Sequence, residues 1–418
     1  MSKLDISGVD FTDIYVDPEW AAIQPERYNN AVRIFEDNFG SSEDIHIFSA
    51  PGRTEIGGNH TDHQHGEVLA ASINRDAVAV ARLTDGNTVR VISDPYKMIK
   101  IDISALSPDD TIKGSTEALI KGVLAALKSG GYKIGGFDAY ITSDVLIGAG
   151  LSSSAAFETL IGTVISGLYN DMNIDAVTIA KAGQYAENVY FGKPCGLMDQ
   201  MACSVGNMVH IDFKFPDNPS VERVDFDFSK TGYCLCITDT KGSHSDLTAD
   251  YAAIPSEMKK IAEILGHEVL RPVTLEDILS NMDTLRSKAG DRAVLRAIHF
   301  VEETKRAGQE ARALQNGELF DFLKLVRVSG NSSFKYLQNA YTNNDITTQN
   351  ISIALAVSDA VLENDEVARI HGGGFAGTIQ AFVKNANADH YREVMDGIFG
   401  EGSCAVLKIR KYGGIKVL

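Results

Sequence analysis

The chain has 418 residues, which on ordinary domain sizes of about 150 residues suggests two or three domains. With 44% hydrophobic and 23% charged residues it has ample apolar material for a core, which excludes disorder as its main state. Fifty-six acidic against 39 basic residues leave a net charge of −17. That balance argues against a nucleic-acid partner, which would call for a basic face or tail.

The five cysteines are sparse and odd in number, and no CxxC or Cys/His ligand spacing occurs. Neither a disulfide framework nor a zinc site is expected, and a reducing, cytoplasmic setting fits. The first twenty residues carry acids where a signal peptide needs an apolar run. The most apolar long stretch, 145–169, contains Glu158 and a dense Gly/Ser segment, too polar for a membrane span.

In chain order, Asp44–Ser49 alternates like a strand and leads into Ala50-Pro-Gly-Arg53. Residues 68–83 read as a second strand. Ser115–Ser129 places Leu119, Ile120, Val123, Leu124 and Leu127 on one helical face. A strand over Asp138–Ser143 meets a glycine-rich turn, and a helix begins at about Ser153. Residues 175–192 predict a further amphipathic helix; Asn207–Phe213 and Tyr233–Asp239 predict strands. From 245 to 340 the pattern is helical, with segments at Tyr251–Leu265, Asp291–Leu314 and Gly317–Gln338. The end returns to a glycine turn at Gly374, a strand at Thr378–Val383, a helix over 388–398 and a strand near Ala405–Ile409. This mixture lacks regular βαβ alternation and points to an α+β fold.

Four segments could carry chemistry. Ile147-Gly-Ala-Gly-Leu-Ser-Ser-Ser-Ala155 follows a strand and opens a helix, so free N–H groups and the positive helix end face one point. That suits a phosphate, although a glycine-rich turn with capping serines reads as well. No Walker loop, HRD or DFG occurs. Pro51 to Gly66 crowds Arg53, His60, Asp62, His63 and His65 into a glycine-studded loop, open to a binding or a metal reading or to a plain solvated turn. Glu187 and Asp199 flank a Pro/Gly break, where one acid could hold a divalent cation and the other accept a proton. Arg369 to Gly377 contains three consecutive glycines, which let backbone pass close to a bound group or simply turn.

Together and in this order, these segments resemble the GHMP small-molecule kinase superfamily, and within it the galactokinase family. Phe35 to Gly40 with Ala50 to Arg53 is similar to its N-terminal sugar-binding signature, Gly150-Leu-Ser-Ser-Ser154 to its central nucleotide loop, and Arg369 to Gly377 to its third glycine motif. Pro194-Cys-Gly-Leu-Met-Asp-Gln200, Arg296 to Glu302 and Ser245 to Tyr251 extend the resemblance over nearly the whole chain.

The resemblance implies a two-domain α+β GHMP kinase fold, with a ribosomal-protein-S5-like domain over about 1–228 and a ferredoxin-like domain over about 229–418. It implies Asp199 and Arg53 as the catalytic pair, and Asn59, His60, Asp62, Gly196 and Tyr251 as sugar contacts. Gly148, Ala149, Gly150, Leu151, Ser152, Ser153 and Ser154 would hold the triphosphate, and Ser154 and Glu187 the magnesium. The implied reaction passes the γ-phosphoryl of ATP to the anomeric hydroxyl of galactose, with Mg²⁺ as cofactor. The expected protein is cytoplasmic, a monomer or weak homo-oligomer, with no membrane or nucleic-acid partner. A kinase for another sugar, such as N-acetylgalactosamine or arabinose, and a non-catalytic sugar-sensing relative are the alternatives. Asn59 stands where the family usually has glutamate, Gly57-Gly58 replaces an apolar–Gly pair, Ala252 to Pro255 replaces two arginines, and His371 replaces threonine or serine.

Overall fold

The computed structural model describes residues 6–145, 150–242, 247–375 and 377–418. Its first sheet is built from β1 (His46–Gly57), β2 (Glu67–Leu83), β3 (Thr88–Ser93), β4 (Ile99–Asp102), β5 (Phe137–Ser143), β6 (Met208–Asp212) and β7 (Ser220–Val224). A second sheet holds β8 (Tyr233–Asp239), β9 (Val367–His371), β10 (Thr378–Lys384) and β11 (Cys404–Leu407) in the order β11-β8-β10-β9, all antiparallel. The last strand, β12 (Ile415–Lys416), returns to the first sheet and pairs with β1. Only β3 and β5 run parallel among the described pairs.

The sequence of β2 explains why its sheet is covered on both faces. Successive side chains point to opposite sides of a strand. Ala77, Ala79 and Ala81 enter a core with Leu160, Ile161 and Val164 of the helix Ser153–Tyr169 and with the helix Thr116–Ser129. Val78 and Val80 face the other way, against Tyr28, Val32 and Phe35 of the helix Pro18–Phe39. That helix was not read from the sequence. Asp17 starts it by accepting the Trp20 N–H at 3.0 Å, and Pro18 fits its first turn.

The helices expected at 115–129 and from Ser153 form within a residue of those limits. The helix expected over 175–192 is regular only to Tyr185; a π-helical turn, Ala186–Phe191, follows and carries Glu187. Such turns recur at functional sites because they re-aim one side chain. Arg369, which opens the third glycine segment, sits inside β9.

One core joins the two sheets. Ile56, Leu69, Ala71 and Leu151 from the first half pack with Leu235, Phe382 and Leu407 of the second sheet and with Phe322 and Val326 of the helix Leu319–Ser332. A fully buried side chain of this size contributes about 1.5–3 kcal/mol. The cluster therefore fixes the end of β1 against the second sheet, and the chemistry-bearing residues gather at that seam.

Candidate active site

Arg53 lies where β1 loses register with β2, between Pro51 and Arg53. An irregularity of this kind turns a side chain out of the regular pleat. Gly52 makes the approach possible, since a Cβ there would meet Leu151 O at 2.8 Å. The Arg53 backbone N–H donates to that same oxygen at 3.1 Å, tying β1 to the glycine–serine loop.

The Arg53 guanidinium forks onto Asp199, with Nε to Oδ1 and Nη2 to Oδ2 both at 2.7 Å, and its Nη1 donates to Gly150 O at 2.5 Å. Ser152 Oγ donates to Asp199 Oδ2. Burial alone would raise the Asp199 carboxyl, but the charge and hydrogen bonds of Arg53, with Ser152, hold it below the usual range. About a third of the Asp199 side chain, 33%, stays exposed.

Ser152 occupies the N-cap of the helix Ser153–Tyr169 in the left-handed region, with φ +55°, and makes no capping hydrogen bond. Its hydroxyl goes to Asp199 instead. The helix thus begins with N–H groups that its own cap leaves to other acceptors, the arrangement that favours an anion. Gly150, Leu151, Ser153 and Ser154 complete the described part of this loop; Gly148 and Ala149 lie outside the described residues.

At the second residue of the helix, Ser154 Oγ donates to Glu187 Oε1 at 3.2 Å. Gln200 Nε2 bridges Glu187 Oε2 and Glu158 Oε2, each at 3.0 Å. Burial, with Glu187 nearby, pushes the Glu158 carboxyl well above its ordinary range. The Ser154 hydroxyl and Glu187 carboxylate are hard oxygen donors. They fit Mg²⁺, which keeps several waters and takes one or two carboxylates together with phosphate oxygens. Among the described residues no three His, Cys, Asp or Glu side chains group to hold a metal by themselves, and this includes the His60–His65 loop.

The residues expected at the sugar divide in two. Asp62 adjoins Gly196, where a Cβ would lie 2.5 Å from Asp62 Oδ2. The others converge on the third glycine turn. His60 Nε2 donates to Gly373 O at 3.0 Å, and Tyr251 Oη donates to Gly374 O at 2.6 Å. Asn59, expected at the sugar, is wholly buried. Its Nδ2 donates to Glu55 Oε1 at 2.9 Å and Gly372 O at 2.7 Å, while its Oδ1 accepts from Asn339 Nδ2 at 2.9 Å and Ser333 Oγ at 3.3 Å. Both ends of the amide are therefore held by protein.

Residues 33–83 match the model of the galactokinase galactose-binding signature, and residues 118–207 match that of the GHMP kinase N-terminal domain. A galactokinase of Streptomyces coelicolor is 30% identical over 361 residues, 84% of this chain and 88% of the relative. The chain belongs to the galactokinase family. A second galactokinase, from Lactococcus lactis subsp. lactis, is 28% identical over 88% of this chain and 90% of its own. The crystal structure of Lactococcus lactis galactokinase complexed with galactose superposes with a TM-score of 0.78 at 24% identity, over 93% of this chain and all of that one. A mevalonate kinase structure superposes at 0.61 and 15% identity over 87% of this chain and 99% of its own, a likeness of fold alone.

Within this member of the galactokinase family, several residues around the site escaped sequence reasoning. Glu158 and Gln200 stand one helical turn after Ser154 and one residue after Asp199, a spacing that could have drawn attention to them. Glu55, Glu303 and Glu310 form a buried acidic cluster with Arg306 and Arg369. Gly57 makes room for it, because a Cβ there would collide with the Glu310 carboxyl. His371 is neutral, driven well below its ordinary range by burial and then by Arg53. Its Nε2 accepts the Glu55 N–H at 3.2 Å, and its Nδ1 pairs with Thr378 Oγ1 at 2.9 Å.

Proposed function

We propose that this protein transfers the γ-phosphoryl of ATP to the anomeric hydroxyl of galactose, giving galactose 1-phosphate and ADP. The observation that carries the reading is the forked Arg53–Asp199 pair set against the uncapped start of the helix Ser153–Tyr169. A sugar hydroxyl is a poor nucleophile and needs an acceptor for its proton. Asp199 fills that role; Arg53 fixes the carboxylate plane and lies beside the oxygen on which negative charge develops. Phosphoryl transfer otherwise depends on in-line positioning and charge neutralisation. Gly148 to Ser154 form the proposed triphosphate loop, with backbone N–H donors at its described end, Gly150 to Ser154, and Ser152 keeps Asp199 aligned.

When Mg²⁺ is bound with the nucleotide it neutralises phosphate charge. Ser154 and Glu187 are the residues that would hold it, with Gln200 orienting Glu187. His60, Asp62, Gly196 and Tyr251 form the sugar side, with Asn59 behind them. The chain is read as two domains parting near 228, S5-like and ferredoxin-like, since the two sheets draw almost all their strands from either side of it. No helix among the described residues is long and apolar enough to cross a membrane; the proposed setting is cytoplasmic, as a monomer or weak homo-oligomer.

The test is ATP consumption across a panel of free monosaccharides, with the phosphorylated carbon identified by NMR. Turnover of galactose at carbon 1 supports the reading. Turnover of a different sugar alone leaves a sugar kinase of another specificity.

A further inference from the structure

The three carbonyls of the third glycine turn each receive a hydrogen from a side chain outside the turn. Asn59 Nδ2 donates to Gly372 O, His60 Nε2 to Gly373 O, and Tyr251 Oη to Gly374 O. The turn is itself fixed from behind. Asn339 Nδ2 reaches both Asn59 Oδ1 and Gly373 O, the latter at 3.3 Å, and Phe375 N–H donates to Asn339 O at 2.5 Å. Glycine is needed on the side facing Tyr251: a Cβ on Gly373 would come within 2.5 Å of Tyr251 Cε1. Gly372 at φ +64° and Gly374 at φ +82° adopt backbone that side-chain-bearing residues rarely take.

These contacts settle hydrogen-bond polarity. A carbonyl only accepts, so His60 carries its ring hydrogen on Nε2 and leaves Nδ1 as a bare acceptor. Burial pulls the His60 imidazole down to about 4, so the ring is neutral at pH 7. Asp62 beside it is likewise an acceptor.

Resting on the galactose-kinase reading above, we propose that the Gly372–Gly374 turn is a positioning element for the sugar. It takes the hydrogens of His60 and Tyr251, holds both rings in place, and presents an acceptor to the sugar hydroxyl that faces His60. That hydroxyl must donate. A fluorine in its place keeps size and polarity but has no hydrogen to give, so it fares no better than a deoxy carbon.

The experiment has two arms on the full-length protein. In the first, kcat/KM is measured for galactose and for its deoxy and deoxyfluoro analogues at each ring carbon other than the anomeric one. At one position, both analogues should fall about tenfold or more and by similar factors, and His60→Ala should remove the difference between them and galactose. If fluorine replaces the hydroxyl without loss at every position where hydrogen does not, the site donates there and the proposal is overturned.

The second arm is Gly373→Ala, read as separate KM values for sugar and ATP. The sugar KM should rise about tenfold while the ATP KM stays within about twofold, and in a Tyr251→Ala background the same change should add nothing. Equal rises in both KM values, or effects that multiply, overturn the proposal. Tyr251→Phe keeps the ring and removes only the hydroxyl, so it serves if the glycine variant fails to fold. It should raise the sugar KM alone, and an unchanged value counts against the turn. Both arms run on whichever sugar the parent phosphorylates, with deoxy and deoxyfluoro forms of that sugar. A parent inactive on galactose therefore fails the galactose reading at the outset, separately from any result on the turn.

Discussion

Asn59 donates to Glu55 Oε1 at 2.9 Å, and Arg369 Nη2 donates to the same oxygen at 2.8 Å. A single buried carboxylate oxygen is thus shared by an amide and a guanidinium, one from the loop after β1 and one from β9. The pair joins the two halves of the molecule at the seam where the site lies. Arg369 also donates to Ile56 O, so the strand carrying Arg53 is gripped from both sides of Glu55.

The first prediction follows from that contact. Asn59→Ala removes two donated hydrogen bonds in a buried setting and should cost about 2 kcal/mol. Asn59→Asp should cost more, about 3 kcal/mol at pH 8, because it sets a second carboxylate against Glu55. Urea unfolding midpoints for the three proteins give the order. An Asp variant as stable as the parent would mean that Asn59 does not hold the position described.

Glu55 itself should make stability depend on pH. Burial pushes its carboxyl up to about 7, against the opposing pull of Arg369 and the Asn59 bond. Below the ordinary value of 4.5 the group is protonated whether folded or not, and it costs nothing. As pH rises toward 7 the unfolded chain loses its proton first, so the folded state loses relative stability, on the order of 3 kcal/mol in all. Glu55→Gln keeps an acceptor for Asn59 and Arg369 and cannot ionise. The stability difference between variant and parent should therefore grow in the variant's favour between pH 4.5 and 7, then level off. A flat difference would show that Glu55 ionises normally.

How much of this was legible in the sequence depends on the range of the interaction. The helices at 116–129 and from Ser153 were legible because apolar spacing and cap residues are local. The loop carrying Ser152 to Ser154 was legible for the same reason, since a glycine run between strand and helix announces a free helix start. The partner of each side chain was not. Asn59 is placed near the sugar by its motif, but its amide partners, Gly372 and Asn339, lie some 280 to 313 residues along the chain. Glu158 and Gln200 stand at suggestive spacings from Ser154 and Asp199, but only folding brings them to Glu187. The helix Pro18–Phe39 was missed although Asp17-Pro18 is a recognisable start, because its apolar face is interrupted by Gln24 and Pro25.

Asp199 and Ser152 should separate cleanly by substitution. Asp199→Asn is nearly isosteric and should lower kcat by about two orders of magnitude or more while the protein stays folded and binds nucleotide. Ser152→Ala should lower kcat by a smaller factor, about tenfold, without weakening the helix, because Ser152 does not act as its cap. Losing the Ser152 bond also removes one of the contacts that hold the Asp199 carboxyl low. The acidic limb of the rate profile should therefore shift to higher pH in Ser152→Ala. A large drop in melting temperature with an unmoved limb would make Ser152 a structural residue.

Glu187, proposed above to hold Mg²⁺ with Ser154, should set the response to magnesium. Its carboxylate is held by Ser154 Oγ and Gln200 Nε2, with Lys193 Nζ at 3.5 Å. A site with one carboxylate and one hydroxyl is too sparse to retain Mg²⁺ without the nucleotide's phosphates. The protein should therefore purify without stoichiometric metal, lose activity in EDTA, and regain it when Mg²⁺ is added with ATP. Glu187→Gln keeps the shape and the bond from Ser154 but loses the charge. It should raise the Mg²⁺ concentration needed for half-maximal rate about tenfold, and weaken Mg·ATP binding in calorimetry while leaving metal-free ATP binding near the parent value. Gln200→Ala should act in the same direction and more weakly, since it only orients Glu187. If Glu187→Gln changes kcat at saturating Mg²⁺ with no change in the Mg²⁺ dependence, Glu187 serves the chemistry through some contact other than the metal.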